Sequence, residues 1–495
     1  MFSQKKTRKC FFIFAAVIML VVQGFVFTVS ALPEPPEQSL PKLVKDGKDK
    51  GLSPENVAFG AYLVNLNTNT VVYEYNKDRR LSPASTTKIM TCFVVLENIK
   101  DLDEKVVVNR YCMDEFYRNP DPNKNGPSSA DLQAGQDNLT YKDCLYAMML
   151  PSACEAANIL AYNVGKKAGG QSLPDEDAIP NFINMMNDTA ARLGCVNTHF
   201  GNAHGLYQKD NYSTPYEMYL ITRYAKDNYP LFMEICDTKE YTLPANANNP
   251  APYTVRSTNS LLTKWAGNPF TYEFAHGVKT GSIGQWYDVD TKEWHDGFSC
   301  LVSTASKEGL DYMLVVLQSP YYDDKHERYL FSFEDTRELY RWAFKSFSIQ
   351  KVVTADEVAT EAKVLQGLDA DHVQLFPASE FSTLLQRTFD KSMIEKKFFA
   401  QDGTPLSEAK FFAPIKKGDV LGTMKLMYEN RELASVKLVA GDDIELSKME
   451  RFKSVALGIV SQTWFIAGAV LLAVMITAAV VLGVIHKKQA KKRKW

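Results

Sequence analysis

The chain has 495 residues, of which 45% are hydrophobic and 23% are charged. These proportions are ordinary for a globular protein and exclude a disordered or collagen-like chain. The length suits two to four domains of about 100–200 residues each. The 56 basic residues nearly balance the 58 acidic ones, but ten of the basic residues lie in the two termini. The chain between the termini is therefore acidic, which argues against nucleic-acid binding, because that function needs a basic face to meet phosphates.

The first 31 residues have the pattern of a secretory signal. A basic stretch comes first, an apolar run from Cys10 to Val29 follows, and the small residues Ser30 and Ala31 complete a cleavage site. We predict a signal peptide at 1–31. An uncleaved N-terminal anchor is the alternative, because the apolar run is long. Residues 32–51 are rich in proline and charge and are predicted to be a linker.

Hydrophobic periodicity after the linker predicts a sheet flanked by helices. Two strands come first, at Ala58–Asn65 and Val71–Tyr75. The helical patterns that follow cover Ser85–Leu96, Tyr141–Val164, Ile179–Leu193 and Pro215–Tyr224. Further strands are expected at Phe298–Ala305 and Tyr312–Leu317, and then a helix near Glu334–Phe347.

Beyond residue 348 the pattern changes to short alternating runs separated by turn residues, which is typical of strands. We predict a small β-rich domain at 349–446 and a juxtamembrane segment at 447–463. Seven cysteines after the signal are odd in number and scattered, so they do not form a disulfide framework. Most are expected to be small buried apolar residues.

A second long apolar segment lies near the C-terminus. Trp464–Ile485 is 22 residues without a charge, and a helix that rises about 1.5 Å per residue crosses a hydrocarbon core of about 30 Å at this length. Residues 486–495 are strongly basic, and basic flanks stay in the cytoplasm. We predict a transmembrane helix at 464–485, a cytoplasmic tail at 486–495 and a body outside the cell membrane. A buried helix of a soluble protein is the alternative, but it seldom combines this length with a basic end.

Three short motifs follow one another along the chain: Ser85-Thr-Thr-Lys88, Ser152-Ala-Cys154 and Lys279-Thr280-Gly281. Because Ser-x-x-Lys occurs five times in this chain, the first motif depends on its context. Pro83 precedes Ser85 at a helix start, where free N–H groups and the helix dipole surround the hydroxyl. The i, i+3 spacing puts Lys88 on the same helix face, where it can take the proton of the serine. An N-cap serine beside an exposed lysine is the alternative.

A lysine acts as a base near neutral pH only when its pKa falls from about 10.4 towards 7–8, a change of about 4 kcal/mol. Burial lowers the pKa of a lysine, and so does a second cation nearby. Lys279 is the candidate for that cation. Gly277 and Gly281 beside it allow the backbone to approach a ligand closely. An ordinary turn is the alternative for this third motif.

Together these motifs resemble those of the low-molecular-mass penicillin-binding D-alanyl-D-alanine carboxypeptidases, serine peptidases that share their fold with the serine β-lactamases. The resemblance covers most of residues 55–445. The segments that carry it are PASTTKIMT (83–91), LPSACEAA (150–157), NAHGL (202–206), YST (212–214), HGVKTGS (276–282) and APIKKGDVLGTMKLM (413–427). It implies an α+β catalytic domain at 52–348, with a helical block against an antiparallel sheet, followed by an all-β C-terminal domain.

The resemblance also implies a catalytic role for three residues. Ser85 would form the acyl-enzyme, Lys88 would take its proton, and Ser152 would relay a proton towards the leaving amine. The reaction would be removal of the terminal D-alanine from peptidoglycan pentapeptide stems. β-Lactams would acylate Ser85 as covalent inhibitors, and no metal or organic cofactor would be needed.

The implied substrate-binding residues are Lys279, Thr280, Gly281, Ser282 and Cys154. Lys279 and Thr280 would bind the terminal carboxylate of the substrate. The backbone N–H groups of Ser85 and Ser282 would form the oxyanion hole. Two other functions share these features. A serine β-lactamase has the same motifs but needs neither the β-rich domain nor the anchor, and a wall-peptide or β-lactam binding protein would have lost turnover.

The chain departs from the family pattern in two places. Cys154 stands where the family usually has asparagine, and a thiol is a weaker donor and acceptor than an amide. Asn158, one helical turn further, is a candidate for partial substitution. Residues 284–297 are longer than the usual turn and contain four acidic residues. Their spacing lacks the glycine and terminal glutamate of a calcium-binding hand, which favours a solvated acidic flap over a Ca²⁺ loop.

Overall fold

The structure is a computed structural model of the chain that describes residues 58–118, 127–264, 267–288, 292–321, 329–460 and 463–492. The predicted signal and linker lie outside these residues. The chain divides into two compact units, the first ending at Ser348 and the second beginning at Ile349. The domain boundaries inferred from the sequence stay predictions.

The first unit contains nine strands and eight helices within its described residues. The strands are β1 (Gly60–Asn65), β2 (Thr70–Tyr75), β3 (Glu240–Leu243), β4 (Tyr253–Arg256), β5 (Ala275–Ile283), β6 (Trp286–Asp288), β7 (Glu293–His295), β8 (Phe298–Lys307) and β9 (Leu310–Pro320). The helices are α1 (Lys88–Asn98), α2 (Arg110–Arg118), α3 (Tyr141–Met149), α4 (Cys154–Gly169), α5 (Ala178–Arg192), α6 (Pro215–Asn228), α7 (Pro230–Asp237) and α8 (Phe331–Ser346).

A five-stranded sheet in the order β2-β1-β9-β8-β5 forms the centre of this unit. Neighbouring strands pair antiparallel throughout. Met313 and Val315 on β9 pack into the core shared with the helical block. The alternate residue Tyr312 faces α8, where its ring centroid lies 5.0 Å from that of Phe344. Burial on both faces explains why the sequence of β9 is a nearly continuous apolar run.

The helix predicted at Tyr141–Val164 is wrong as a single element. The structure divides it into α3 and α4, with residues 150–153 between them. Pro151 lacks an N–H group and so cannot donate the hydrogen bond that would continue α3. Ser152 follows with a φ of 70°, a left-handed conformation that is uncommon for a residue with a side chain. Apolar periodicity missed the break because both helices are almost completely buried.

The second unit is β-rich, as the alternating pattern predicts. Its strands are β10 (Phe347–Val353, which begins at the end of the first unit), β11 (Thr360–Leu365), β12 (His372–Pro377), β13 (Phe381–Gln386), β14 (Glu395–Ala400), β15 (Phe411–Phe412), β16 (Val420–Tyr428) and β17 (Arg431–Ala440). Six of them form a sheet in the order β14-β16-β17-β12-β11-β15, and β10 pairs with β13. Leu375, Met424 and Leu438 are fully buried in its core.

Two helices follow the second sheet, α9 (Lys448–Val460) and α10 (Thr463–Lys492). Within α10, the span Ile466–Gln489 contains an 18-residue stretch with a mean hydropathy of 2.7, and none of that stretch is buried inside the protein. This helix is long and apolar enough to cross a membrane.

Candidate active site

Ser85 lies in a sharp turn at the start of the first helix. Residues Ala84–Thr87 form a short 3-10 turn that runs directly into α1. The carbonyl oxygen of Pro83 accepts hydrogen bonds from the backbone nitrogen of Thr86 at 3.1 Å and from its Oγ1 at 2.6 Å. Ala84 has a φ of 48°, which is strained for a residue with a Cβ. The turn therefore holds Ser85 in one position, with 9% of its surface exposed.

The segment NAHGL packs directly on this turn. Gly205 has a φ of 80°, and a Cβ at this position would lie 2.0 Å from the carbonyl oxygen of Ala84. Only glycine fits such an approach. Asn202 accepts a hydrogen bond from the Gly205 nitrogen at 2.6 Å, and Thr91 on α1 donates to the carbonyl of Ala203 at 2.6 Å. These contacts explain the glycine and asparagine of this segment.

Lys88 is completely buried beside the candidate nucleophile. Its Nζ lies 3.1 Å from Ser85 Oγ, donates to the carbonyl oxygen of His204 at 2.5 Å and lies 3.5 Å from Cys154 Sγ. Burial lowers the pKa of Lys88, although Cys154 and Glu155 act in the opposite direction. A neutral amine in this place can accept the serine proton.

Lys279, on β5, is a second buried amine, with 1% of its surface exposed. Its Nζ donates to the carbonyl oxygen of Thr280 at 3.0 Å and lies 3.4 Å from Thr280 Oγ1. Burial holds the pKa of Lys279 well below its usual value, and the charge of Lys88 lowers it further. A positive charge on Lys88 therefore disfavours a positive charge on Lys279.

Strand β5 forms one edge of the central sheet and lies against the nucleophile turn. A Cβ at Gly281 would lie 3.1 Å from the backbone nitrogen of Ser85 and 3.2 Å from the carbonyl oxygen of Pro83. Ser282 comes next, pairs with Ser299 across the sheet and is exposed. The backbone of the third motif is thus brought beside the Ser85 turn.

The connection between α3 and α4 forms the opposite side of the site. Cys154 begins α4 and is 1% exposed. Burial raises the pKa of its thiol, whereas the charge of Lys88 lowers it. Ser152 is 5% exposed, but no hydrogen bond joins its hydroxyl to Ser85, Lys88 or Lys279 among the bonds of the described residues. The structure therefore brings Ser85 and Cys154 to the amine of Lys88 and shows no hydrogen bond from Ser152 to these groups among the described residues.

Two polar contacts of this site were missed by sequence reasoning. The carbonyl oxygen of His204 accepts a hydrogen bond from Lys88. The sequence of the NAHGL segment indicated a family resemblance but no role for this oxygen. Thr258 Oγ1 lies 2.6 Å from Thr280 Oγ1, and no sequence signal marks this threonine. Both contacts come from loops, whose geometry short motifs do not encode.

The acidic stretch expected as a flap contains a hairpin. Strands β6 and β7 pair antiparallel, with Trp286 opposite His295 and Asp288 opposite Glu293. Residues 289–291 lie outside the described parts of the chain. Within the described parts, no three His, Cys, Asp or Glu side chains are grouped to hold a metal ion.

The chain matches the family model of D-alanyl-D-alanine carboxypeptidase over residues 49–320. It also matches the penicillin-binding protein 5 C-terminal domain over residues 347–446. The D-alanyl-D-alanine carboxypeptidase of Streptomyces sp. (strain K15) is 35% identical over 272 residues, which cover 54% of this chain and 82% of the relative. The carboxypeptidase DacC of Escherichia coli (strain K12) is 26% identical over 388 residues, which cover 77% of this chain and 83% of the relative.

Solved structures support the same fold. The carboxypeptidase DacD from Francisella tularensis gives a TM-score of 0.55 at 20% identity, covering 81% of this chain and 97% of that one. Penicillin-binding protein 5 from Haemophilus influenzae gives 0.52 at 21% identity, covering 80% and 99%. These likenesses confirm the predicted fold class, an α+β catalytic unit with an all-β C-terminal domain. The family model covers more than half of the chain, and the chain therefore belongs to the D-alanyl-D-alanine carboxypeptidase family of serine peptidases.

Proposed function

We propose that this protein removes the terminal D-alanine from peptidoglycan pentapeptide stems through an acyl-enzyme on Ser85. One observation carries the proposal: Ser85 Oγ lies 3.1 Å from the Nζ of a completely buried lysine, Lys88. The relatives that the chain matches are D-alanyl-D-alanine carboxypeptidases, which gives the substrate class.

In the acylation step, neutral Lys88 takes the proton of Ser85 while Oγ attacks the carbonyl carbon of the penultimate D-alanine. Negative charge then develops on the carbonyl oxygen. The backbone N–H groups of Ser85 and Ser282 donate to it, because oriented donors in a water-poor site stabilise such charge strongly. The short approach between Gly281 and the Ser85 nitrogen supports this placement.

Release of D-alanine requires a proton on its amine. In this proposal Ser152 passes to the amine the proton that Lys88 took, and the C–N bond breaks. This transfer requires the Ser152 hydroxyl to form a hydrogen bond with Lys88 that is absent among the described residues of the free protein. Thr280 donates to the terminal carboxylate of the substrate, and Lys279 supplies positive charge behind it. A carboxylate nearby raises the pKa of a lysine. Binding of the substrate carboxylate therefore raises the pKa of Lys279 above its low value in the free protein. Water then attacks the acyl-enzyme and releases the shortened peptide.

β-Lactams acylate Ser85 in this proposal because their strained amide stands in for the scissile bond. We further propose that α10 spans the membrane once, with the catalytic unit outside and the basic end of the chain inside. The apolar stretch Ile466–Gln489 and the basic residues that follow it support this orientation.

Replacing the nucleophile is the direct test. We expect Ser85→Ala to abolish D-alanine release from diacetyl-Lys-D-Ala-D-Ala and covalent labelling by a fluorescent penicillin, because Ser85 Oγ is the atom that forms the acyl-enzyme in this proposal. The matched control is Ser82→Ala, three residues earlier, whose hydroxyl has no hydrogen-bond partner among the described residues. It should keep both activities. Labelling of the Ser85→Ala protein at another serine, mapped by mass spectrometry, would contradict the assignment.

The pH dependence of acylation tests the role of Lys88. Only the neutral amine accepts a proton, so the acylation rate constant for a penicillin should rise with pH. Since burial lowers the pKa of Lys88, we expect the rise to level off below the ordinary lysine value of about 10.4. Rates measured from pH 5 to 10 give the apparent pKa of the group that accepts the proton. A rate that still climbs at pH 10 would show that the base is an ordinary exposed amine.

Cys154 tests the departure from the family pattern. We expect Cys154→Asn to raise D-alanine release, because an amide would accept from Lys88 and donate to the substrate, whereas a neutral thiol does both weakly. One well-placed catalytic donor is worth up to about 10²–10³ in rate, which is an upper guide. Cys154→Ala should change the rate little. Lower turnover of a folded Cys154→Asn protein would show that the cysteine has its own role.

The proposed anchor predicts where the protein partitions. A chain that ends after residue 446 should be released in soluble form and keep penicillin labelling, while the full chain should stay with membranes after carbonate washing. Fractionation followed by labelling measures both. Retention of the shortened chain in the washed membranes would mean that α10 is not the sole anchor and would point to an uncleaved N-terminus.

A further inference from the structure

Thr258 joins the two sides of the candidate cleft. It is exposed and follows β4. Its Oγ1 lies 2.6 Å from Thr280 Oγ1 on β5 and donates to the carbonyl oxygen of Leu150 at 3.2 Å. Its backbone nitrogen donates to the same oxygen at 3.1 Å. Leu150 lies two residues before Ser152, so Thr258 connects the strand of the third motif to the segment of the second.

The hydroxyl protons of Thr258 and Thr280 can be arranged in only two ways. Each threonine hydroxyl has one proton to donate and two lone pairs to accept with. When Thr258 donates to Leu150, it can only accept from Thr280, and Thr280 then has no proton left for a substrate. When Thr258 donates to Thr280 instead, the Thr280 proton is free to point into the cleft.

A bound carboxylate favours the arrangement in which Thr258 donates to Thr280, because a carboxylate only accepts hydrogen bonds and needs the Thr280 proton. The reversal leaves no buried group unpaired, since the Leu150 carbonyl keeps the Thr258 backbone N–H as its donor. A hydroxyl that accepts one hydrogen bond becomes a better donor in the next, and bonds to ionised acceptors are the strong ones. Thr258 therefore orients and strengthens the bond that Thr280 makes.

Thr280 is the group that a carboxylate meets first at this site. Its side chain is half-buried, whereas Lys279 is 1% exposed and directs its Nζ to the carbonyl oxygen of Thr280 at 3.0 Å. Recognition of the carboxylate thus depends on the direction of one hydroxyl proton, and the residue that sets this direction is Thr258.

We propose that Thr258 is a positioning residue for the terminal carboxylate of the substrate, acting through the hydroxyl of Thr280. The inference rests on the proposed function, which places the carboxylate at Thr280. It predicts that Thr258 matters for substrates with a carboxylate in the leaving group and not for the chemistry of acylation itself.

Two thioesters of diacetyl-Lys-D-Ala separate these effects. One has a thioglycolate leaving group, which carries a carboxylate, and the other has the matched thioglycolamide, which is neutral. Wild-type protein should prefer the thioglycolate ester in kcat/KM. Thr258→Val keeps the side-chain shape but removes the hydroxyl, and we expect it to reduce that preference about two- to tenfold, the range of one ordinary hydrogen bond between neutral groups. The neutral ester should react at nearly the wild-type rate.

Two variants complete the design. Thr258→Ser keeps a hydroxyl and should restore the preference. Thr254→Val changes an exposed threonine on β4 and should leave both esters unaffected. Equal slowing of both esters by Thr258→Val would overturn the inference in favour of a structural role, and so would an unchanged preference or a serine variant that fails to restore it. If wild-type protein releases no D-alanine from diacetyl-Lys-D-Ala-D-Ala, the proposed function fails, whatever the ester ratio shows.

Discussion

The site depends on the burial of one amine. Burial of a lysine in a protein interior destabilises its positively charged form, which lowers its pKa and favours loss of the proton. Lys88 has no exposed surface, and its nearest acceptors are a carbonyl oxygen and a hydroxyl rather than a carboxylate. The environment thus favours the neutral form, in which the amine is able to accept the proton of the neighbouring serine. A salt bridge in the same place would have stabilised the charged form, which cannot accept a proton.

The scaffold around this amine is arranged to keep water and counter-charge away. The central sheet places β5 at its edge, so that a second buried amine lies near the first. The helix break between α3 and α4 brings a small neutral side chain, Cys154, to the Lys88 amine. The loop that contains Gly205 covers the remaining side and offers only backbone oxygen. Each wall is contributed by a different part of the chain.

The sequence predicted the Ser85–Lys88 pair well and the surroundings of the Lys88 amine poorly. Ser85 lies in the 3-10 turn that runs into α1 and Lys88 is the first residue of α1, so their proximity follows from a spacing of three residues in one helical segment. Apolar patterns likewise predicted four of the five strands of the central sheet and the helices α1, α5, α6, α8 and α10. The break at Pro151 was missed because burial on all sides removes the periodic signal. The His204 carbonyl and Thr258 were missed because backbone oxygens have no residue type, and a hydroxyl contact between two loops leaves no spacing pattern.

The close approach of Gly205 to the Ser85 turn also makes the site depend on a contact between distant parts of the sequence. Lys88 and its carbonyl acceptor are 116 residues apart in sequence. The chain between them must close into a loop, at a cost in conformational entropy, before this hydrogen bond can form. Without this loop closure the lysine would be hydrated, and hydration favours the charged amine, which cannot accept a proton. The neutral amine therefore depends on a long-range contact as well as on the local helix.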